Sequence, residues 1–86
     1  MREIFGRRLK SLRRKTGFSQ KELANVLNVS PSTVSNYESG ISLPPLQTAY
    51  EIAINLQGSL DYLTGLTGED EKYIKEPEVM WVAEKD

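Results

Sequence analysis

The stretch NVSPSTVSNYESG, residues 28–40, decides how the rest of the chain reads. It sets four serines, a threonine, a proline and a closing glycine around only Val29, Val34 and Tyr37 as large side chains. Ser30 suits a helix N-cap, and Pro31 then falls at the first helical position, where a missing N–H costs nothing. Gly40 supplies the stop. At about 100° per residue, Val34 and Tyr37 share one edge of the helix 31–38, while Ser32, Ser35 and Asn36 gather opposite. Such a helix anchors itself by a narrow apolar edge and leaves a face of small polar groups free to meet another molecule.

A second short helix precedes it. Ser19 and Glu22 form the S-x-x-E capping box, Phe18 and Leu23 flank it as a hydrophobic staple, and Leu23, Ala24 and Leu27 make the buried face before Asn28. Further upstream, Phe5, Leu9 and Leu12 line one stripe of a helix over Ile4–Thr16, closed by Gly17. Arg13 falls beside that stripe, whereas Arg7, Lys10 and Arg14 point the other way. After the connection ISLPPL, a fourth helix over Leu46–Leu56 carries Ala49, Ile52, Ala53 and Leu56 on one side, and Gln57-Gly58 breaks it. Ser59 caps a fifth helix with Leu60 and Leu63, ended by Gly65. No internal repeat is visible, and no strand-like alternation precedes residue 78. The expected fold is all-α: a compact five-helix bundle over residues 1–65 with a C-terminal extension, 66–86.

Composition narrows the chemistry. Eighty-six residues fit one small domain near the lower limit for a self-sufficient core. The chain has no cysteine and no histidine, which removes disulfides, thiolate metal sites and the commonest general base. No remaining serine has a general base placed beside it, so the expectation is no enzyme, no metal and no cofactor. No long apolar run marks a signal peptide or a membrane span, which makes a cytoplasmic protein the default. Charge is divided unevenly. Residues 1–50 hold eight Lys/Arg against Glu3, Glu22 and Glu38, a net of +5, and residues 51–86 hold three Lys against nine acids, a net of −6. A basic body of this kind suits a polyanionic partner, although uneven solvated charge reads the same way.

The extension opens TGEDEKY, passes Glu76-Pro77 and closes EVMWVAEKD. Its charged middle reads as a linker. Val79, Met80, Trp81 and Val82 form an apolar run within it. Two readings stay open: the run folds back on its own body, or it contacts another chain, a dimer mate or a protein partner.

Two short helices across a tight connection, the second with a bare polar face, match either an ordinary helical hairpin or the helix-turn-helix that enters a DNA major groove. The run SQKELANVLNVSPSTVSNYESGISLP, residues 19–44, resembles the phage-repressor and Cro-like helix-turn-helix family, also called the xenobiotic-response-element (XRE) family. The resemblance continues through IAINLQGSLDYLTG (52–65) and back to RRLKSLRRKTG (7–17), covering about residues 4–65 and leaving the extension out. It implies a lambda-repressor-like bundle with 31–38 as recognition helix. It also implies that Gln20 meets a phosphate, that Ser30, Ser32, Thr33 and Asn36 face phosphates and base edges, and that Ser35 sits near the DNA backbone or a helix cap. Arg13 and Glu38 match an ion pair tying the first helix to the third.

The chain also departs from the family. The loop Ile41-Ser42-Leu43-Pro44-Pro45 has no positive side chain where a basic loop is common. Phosphate contacts there fall to backbone amides, to Lys21 or to first-helix arginines. Gly58 stands where the family usually buries a valine, so loose packing between the fourth and fifth helices is expected. The function implied is a transcriptional regulator, a repressor, that binds an inverted-repeat operator in double-stranded DNA as a homodimer. The alternative is an antitoxin-like or regulator-sequestering module that uses the same fold to hold a protein partner.

Overall fold

The computed structural model describes residues 1–68, and its five helices begin and end where local chemistry dictates. They are α1 (Arg2–Thr16), α2 (Gln20–Leu27), α3 (Pro31–Glu38), α4 (Leu46–Leu56) and α5 (Leu60–Thr64), with no strand among the described residues. Ser19, Ser30 and Ser59 cap α2, α3 and α5, each accepting a backbone N–H from three residues on. At Ser19 the capping box is complete, since Glu22 in turn accepts the Ser19 N–H at 2.9 Å. Gly17 and Gly65 take left-handed conformations, φ 87° and 88°, and end α1 and α5. Asn28, at φ 60°, does the same for α2, tolerated because its short polar side chain suits that region.

Every helix contributes to one core. Leu9, Leu12, Leu23, Val34, Ile52, Leu56 and Leu63 are the largest fully buried side chains, and Phe18, Val29, Leu60 and Tyr62 pack against that core half-buried. Each fully buried aliphatic side chain contributes about 1.5–3 kcal/mol. The bundle is thus all-α, as its hydrophobic spacing predicts.

Gly6 sets how α1 meets α3. A Cβ there would lie 2.5 Å from the Glu38 carbonyl oxygen and 2.6 Å from that of Tyr37. Both are backbone atoms at the end of α3, so no side-chain rotation relieves the clash. Hydrogen is the only side chain that lets these two helices approach so closely.

The junction of α4 and α5 corrects one expectation. Gly58 is buried, and a Cβ on it would meet Leu12 Cδ1 at 2.5 Å, so Leu12 already fills the space a valine would take. Packing here is tight, not loose. The left-handed turn falls on Gln57, at φ 56°, rather than on the glycine. Gly58 is needed for closeness, and Gln57 makes the bend.

Arg8, given no role in the sequence, clamps α5 onto α1. Its Nη1 donates to the carbonyls of Tyr62 and Thr67, both at 2.6 Å, and its guanidinium lies 4.6 Å from the centroid of the Tyr62 ring. A cation over an aromatic face and against helix-end carbonyls is favourable on both counts. Val79–Val82 lie outside the described residues.

Gly6→Ala should destabilise the protein by about 1–3 kcal/mol despite the better helix propensity of alanine, because the clash is with backbone. Gly58→Ala should cost less, since the Leu12 end can swing aside. Urea unfolding followed by circular dichroism ranks the two.

Candidate nucleic-acid interface

The helix pair α2–α3 is held from beneath by a buried ion pair. The Glu38 carboxylate at the end of α3 accepts the Arg13 Nε–H on Oε2 and the Nη2–H on Oε1, the latter at 3.1 Å. Arg13 also donates from Nη1 to the Phe18 carbonyl at 2.8 Å, in the turn into α2. The Gln20 amide completes the set, donating Nε2–H to Glu38 Oε1 at 2.9 Å. The two charged side chains are only 9% and 4% exposed. A planar guanidinium suits this place because its fork meets both carboxylate oxygens and still reaches a carbonyl. One carboxylate thereby links α1, the first residue of α2 and the last residue of α3.

Above this support lies the polar face. Lys21, Ser30, Ser32 and Asn36 are exposed, and Gln20, Thr33 and Ser35 are half-buried. Ser30 Oγ lies 3.0 Å from Ser32 Oγ and 2.9 Å from Thr33 Oγ1, a small hydroxyl cluster at the start of α3. A surface depression of about 410 Å³, lined by Lys21, Glu22, Ala24, Asn25, Val29 and Pro31, joins the outer side of α2 to the first residue of α3. The side-chain amide of Asn36 makes no hydrogen bond among the described residues, although its backbone carbonyl is well used. That carbonyl accepts from the amides of Ile41 and Ser42, at 3.0 and 3.4 Å, and from Ser39 Oγ at 3.3 Å.

These contacts narrow where phosphate donors can come from. Two of the loop amides, at Ile41 and Ser42, already serve Asn36. Among first-helix cations, Arg8 and Arg13 are engaged with α5 and α3, while Arg7, Lys10 and Arg14 are exposed. Gln20 is turned inward onto Glu38. Lys21 remains the exposed cation on α2, and the backbone N–H groups of the first turn of α2 point the same way as any helix N-terminus. The inward bond of Gln20 left no sequence signal, because a polar residue at the start of a helix is ordinarily solvated. Gly6 did carry one: a glycine inside an otherwise regular apolar face marks a close approach. Among the described residues no group of three or more His, Cys, Asp or Glu is placed to hold a metal ion, and no helix is long and apolar enough to cross a membrane.

The order and spacing of these elements have counterparts. The helix-turn-helix family model matches residues 9–63. The chain belongs to this family. Its helix-turn-helix is of the XRE type, as the likeness to phage repressors implies. The HTH-type transcriptional regulator ImmR of Bacillus subtilis is 40% identical over 60 residues, 70% of this chain and 47% of ImmR. The chain thus spans less than two thirds of the curated helix-turn-helix regulators it matches. Among solved structures, the restriction-modification controller protein C.AhdI of Aeromonas hydrophila superposes with a TM-score of 0.65 at 31% identity, covering 71% of this chain and 92% of that one. The P22 c2 repressor, solved with a synthetic operator, gives 0.65 at 29% identity, covering 69% and 89%.

Replacing Glu38 by alanine should cost about 3–5 kcal/mol, since it strands the buried Arg13 charge. Gln20→Ala should cost about 1.5–3 kcal/mol, the worth of one hydrogen bond to a charged group. Comparison of the two urea midpoints at unchanged slope checks the difference.

Proposed function

We propose that this helix-turn-helix chain is a transcriptional regulator, a repressor, that binds double-stranded DNA with α3 in the major groove. The observation that carries this reading is the outer face of α3: a free Asn36 amide among small hydroxyl side chains. A protruding helix with no bulky outward residue lets its backbone approach the base edges closely. Asn36 can then give and accept a hydrogen bond at adenine N6 and N7, and the Thr33 methyl can meet a thymine methyl. Ser30 and Ser32, with Ser35, suit phosphate or sugar contacts, and Lys21 with the first turn of α2 suits a phosphate. On this reading Gln20 acts by ordering the first turn of α2 through Glu38, its second amide N–H being the donor left for a phosphate.

Each good base contact contributes about 1–3 kcal/mol of discrimination. Residues 31–45 contain no Lys or Arg, so the strongest guanine contact is missing and one protomer has few anchors. A homodimer on an inverted repeat, its half-sites about one helical turn apart, doubles them. The P22 c2 repressor, which shares this fold, is solved in complex with a synthetic operator, and that supports the reading. The shortage of basic groups around α3 favours a second reading, a module that holds a protein partner in place of DNA, as an antitoxin-like or regulator-sequestering protein would.

Selection from a random DNA pool, then titration of the enriched site at two salt concentrations, tests the proposal. A palindrome should emerge. Asn36→Ala removes one such contact per protomer, so it should weaken the palindrome at least about 30-fold while sparing non-specific binding. Lys21→Ala should weaken all sequences alike and lower the salt slope by about 2, one phosphate per protomer. A pool that yields no enriched site supports the protein-partner reading.

A further inference from the structure

The outer side of α4 carries more apolar surface than the fold uses. Leu46, Tyr50 and Ile54 follow one another at intervals of four, hence along one stripe, and are 77%, 52% and 44% exposed. The stripe leads into a groove of about 220 Å³ between α4 and α5, lined by Tyr50, Ala53, Ile54, Ser59, Leu60 and Asp61. The three stripe residues are uncharged, and Asp61 is the charged member of the groove lining; Glu51, alongside, accepts from Gln47 Nε2 on its carboxylate at 3.1 Å and from Asn55 Nδ2 on its carbonyl at 2.8 Å. A contiguous apolar strip of this kind on a small domain marks a place where something binds.

The chain itself arrives there. The amides of Leu66 and Thr67 donate to the carbonyl of Asp61, at 2.8 and 3.3 Å, and Asp61 is part of the groove wall. Ten residues, 69–78, then separate Gly68 from the run Val79-Met80-Trp81-Val82. Extended, they reach up to about 33–36 Å. The stripe from Leu46 to Ile54 is only about 12 Å long at 1.5 Å per residue. A tether this short also holds the run near its own α4 at an effective concentration in the millimolar range, about a thousand times that of a second copy at micromolar concentration. We infer that Val79–Val82 of this chain seats on its own α4, over Leu46, Tyr50 and Ile54, with Trp81 in the groove beside Leu60. An indole brings about 150–250 Å² of surface to bury, and the uncharged stripe offers it an apolar wall with the Ser59 and Asp61 polar groups at the rim.

Trp81 is the only tryptophan, so intrinsic fluorescence of the full chain reads this contact alone. The expected result is a blue-shifted emission, protected from acrylamide and unchanged on dilution through the range where sedimentation shows a monomer. Tyr50→Lys and Ile54→Lys, both at exposed positions, should each shift the emission to that of a water-exposed indole and raise quenching several-fold. Tyr50→Phe should leave it in place, and circular dichroism should show the helices intact in all three. Wild-type emission already that of an exposed indole would overturn the inference, as would a blue emission that both lysine variants leave untouched. A blue emission that disappears on dilution together with a dimer would overturn it too, by assigning the run to a second copy. None of these readings involves DNA, so their failure and the failure of the DNA-binding proposal are distinguishable.

Discussion

Everything the α3 face can do depends on its being held still, and a single buried carboxylate does most of the holding. Glu38 sits at the last turn of α3 and receives donors from α1 and from the first residue of α2. The same last turn presses its backbone carbonyls against Gly6 of α1. Polar and steric constraints therefore meet at one end of the helix. The eight residues of α3 have little intrinsic helical stability, since helices of this length are marginal in water. Its orientation must come from such contacts and from burying Val34 and Tyr37.

Much of this architecture was legible in the residues. Caps and stops are local, and Ser19, Glu22, Ser30, Pro31, Gly17 and Gly65 each do in the structure what their chemistry implies. The buried faces of α1, α2 and α4 followed from spacing alone. What escaped was long-range. Arg8 reads as one more solvated cation until α5 is folded against it, and no periodicity links residue 8 to residues 62 and 67. Gly58 misled for a related reason: a glycine in place of a valine suggests a void only if no neighbour occupies the space, and Leu12 occupies it.

On the polar face, sequence and structure inform each other in a different way. The angles of a helix wheel place Ser32, Ser35 and Asn36 outward, and exposure at Ser32 and Asn36 agrees. Angles say nothing of which polar groups are already satisfied. The inward bond of Gln20 and the two loop amides on the Asn36 carbonyl emerge only from three-dimensional placement. They leave an interface with few cations, in which helix ends and hydroxyl groups carry a larger share of any polyanion contact than lysine or arginine side chains.

The Arg8 clamp has a consequence for how the molecule breathes. At five residues α5 is too short to persist by itself, and it is held by Leu63, by the half-buried Leu60 and Tyr62, and by the Arg8 guanidinium. Short terminal segments with exposed backbone hydrogen bonds open below the global unfolding free energy. The hydrogen-bonded amides of Leu63, Gly65 and Leu66 should then exchange with solvent before those in the middle of α1. The fold would thus be graded, firm where α1 grips α3 and yielding at α5.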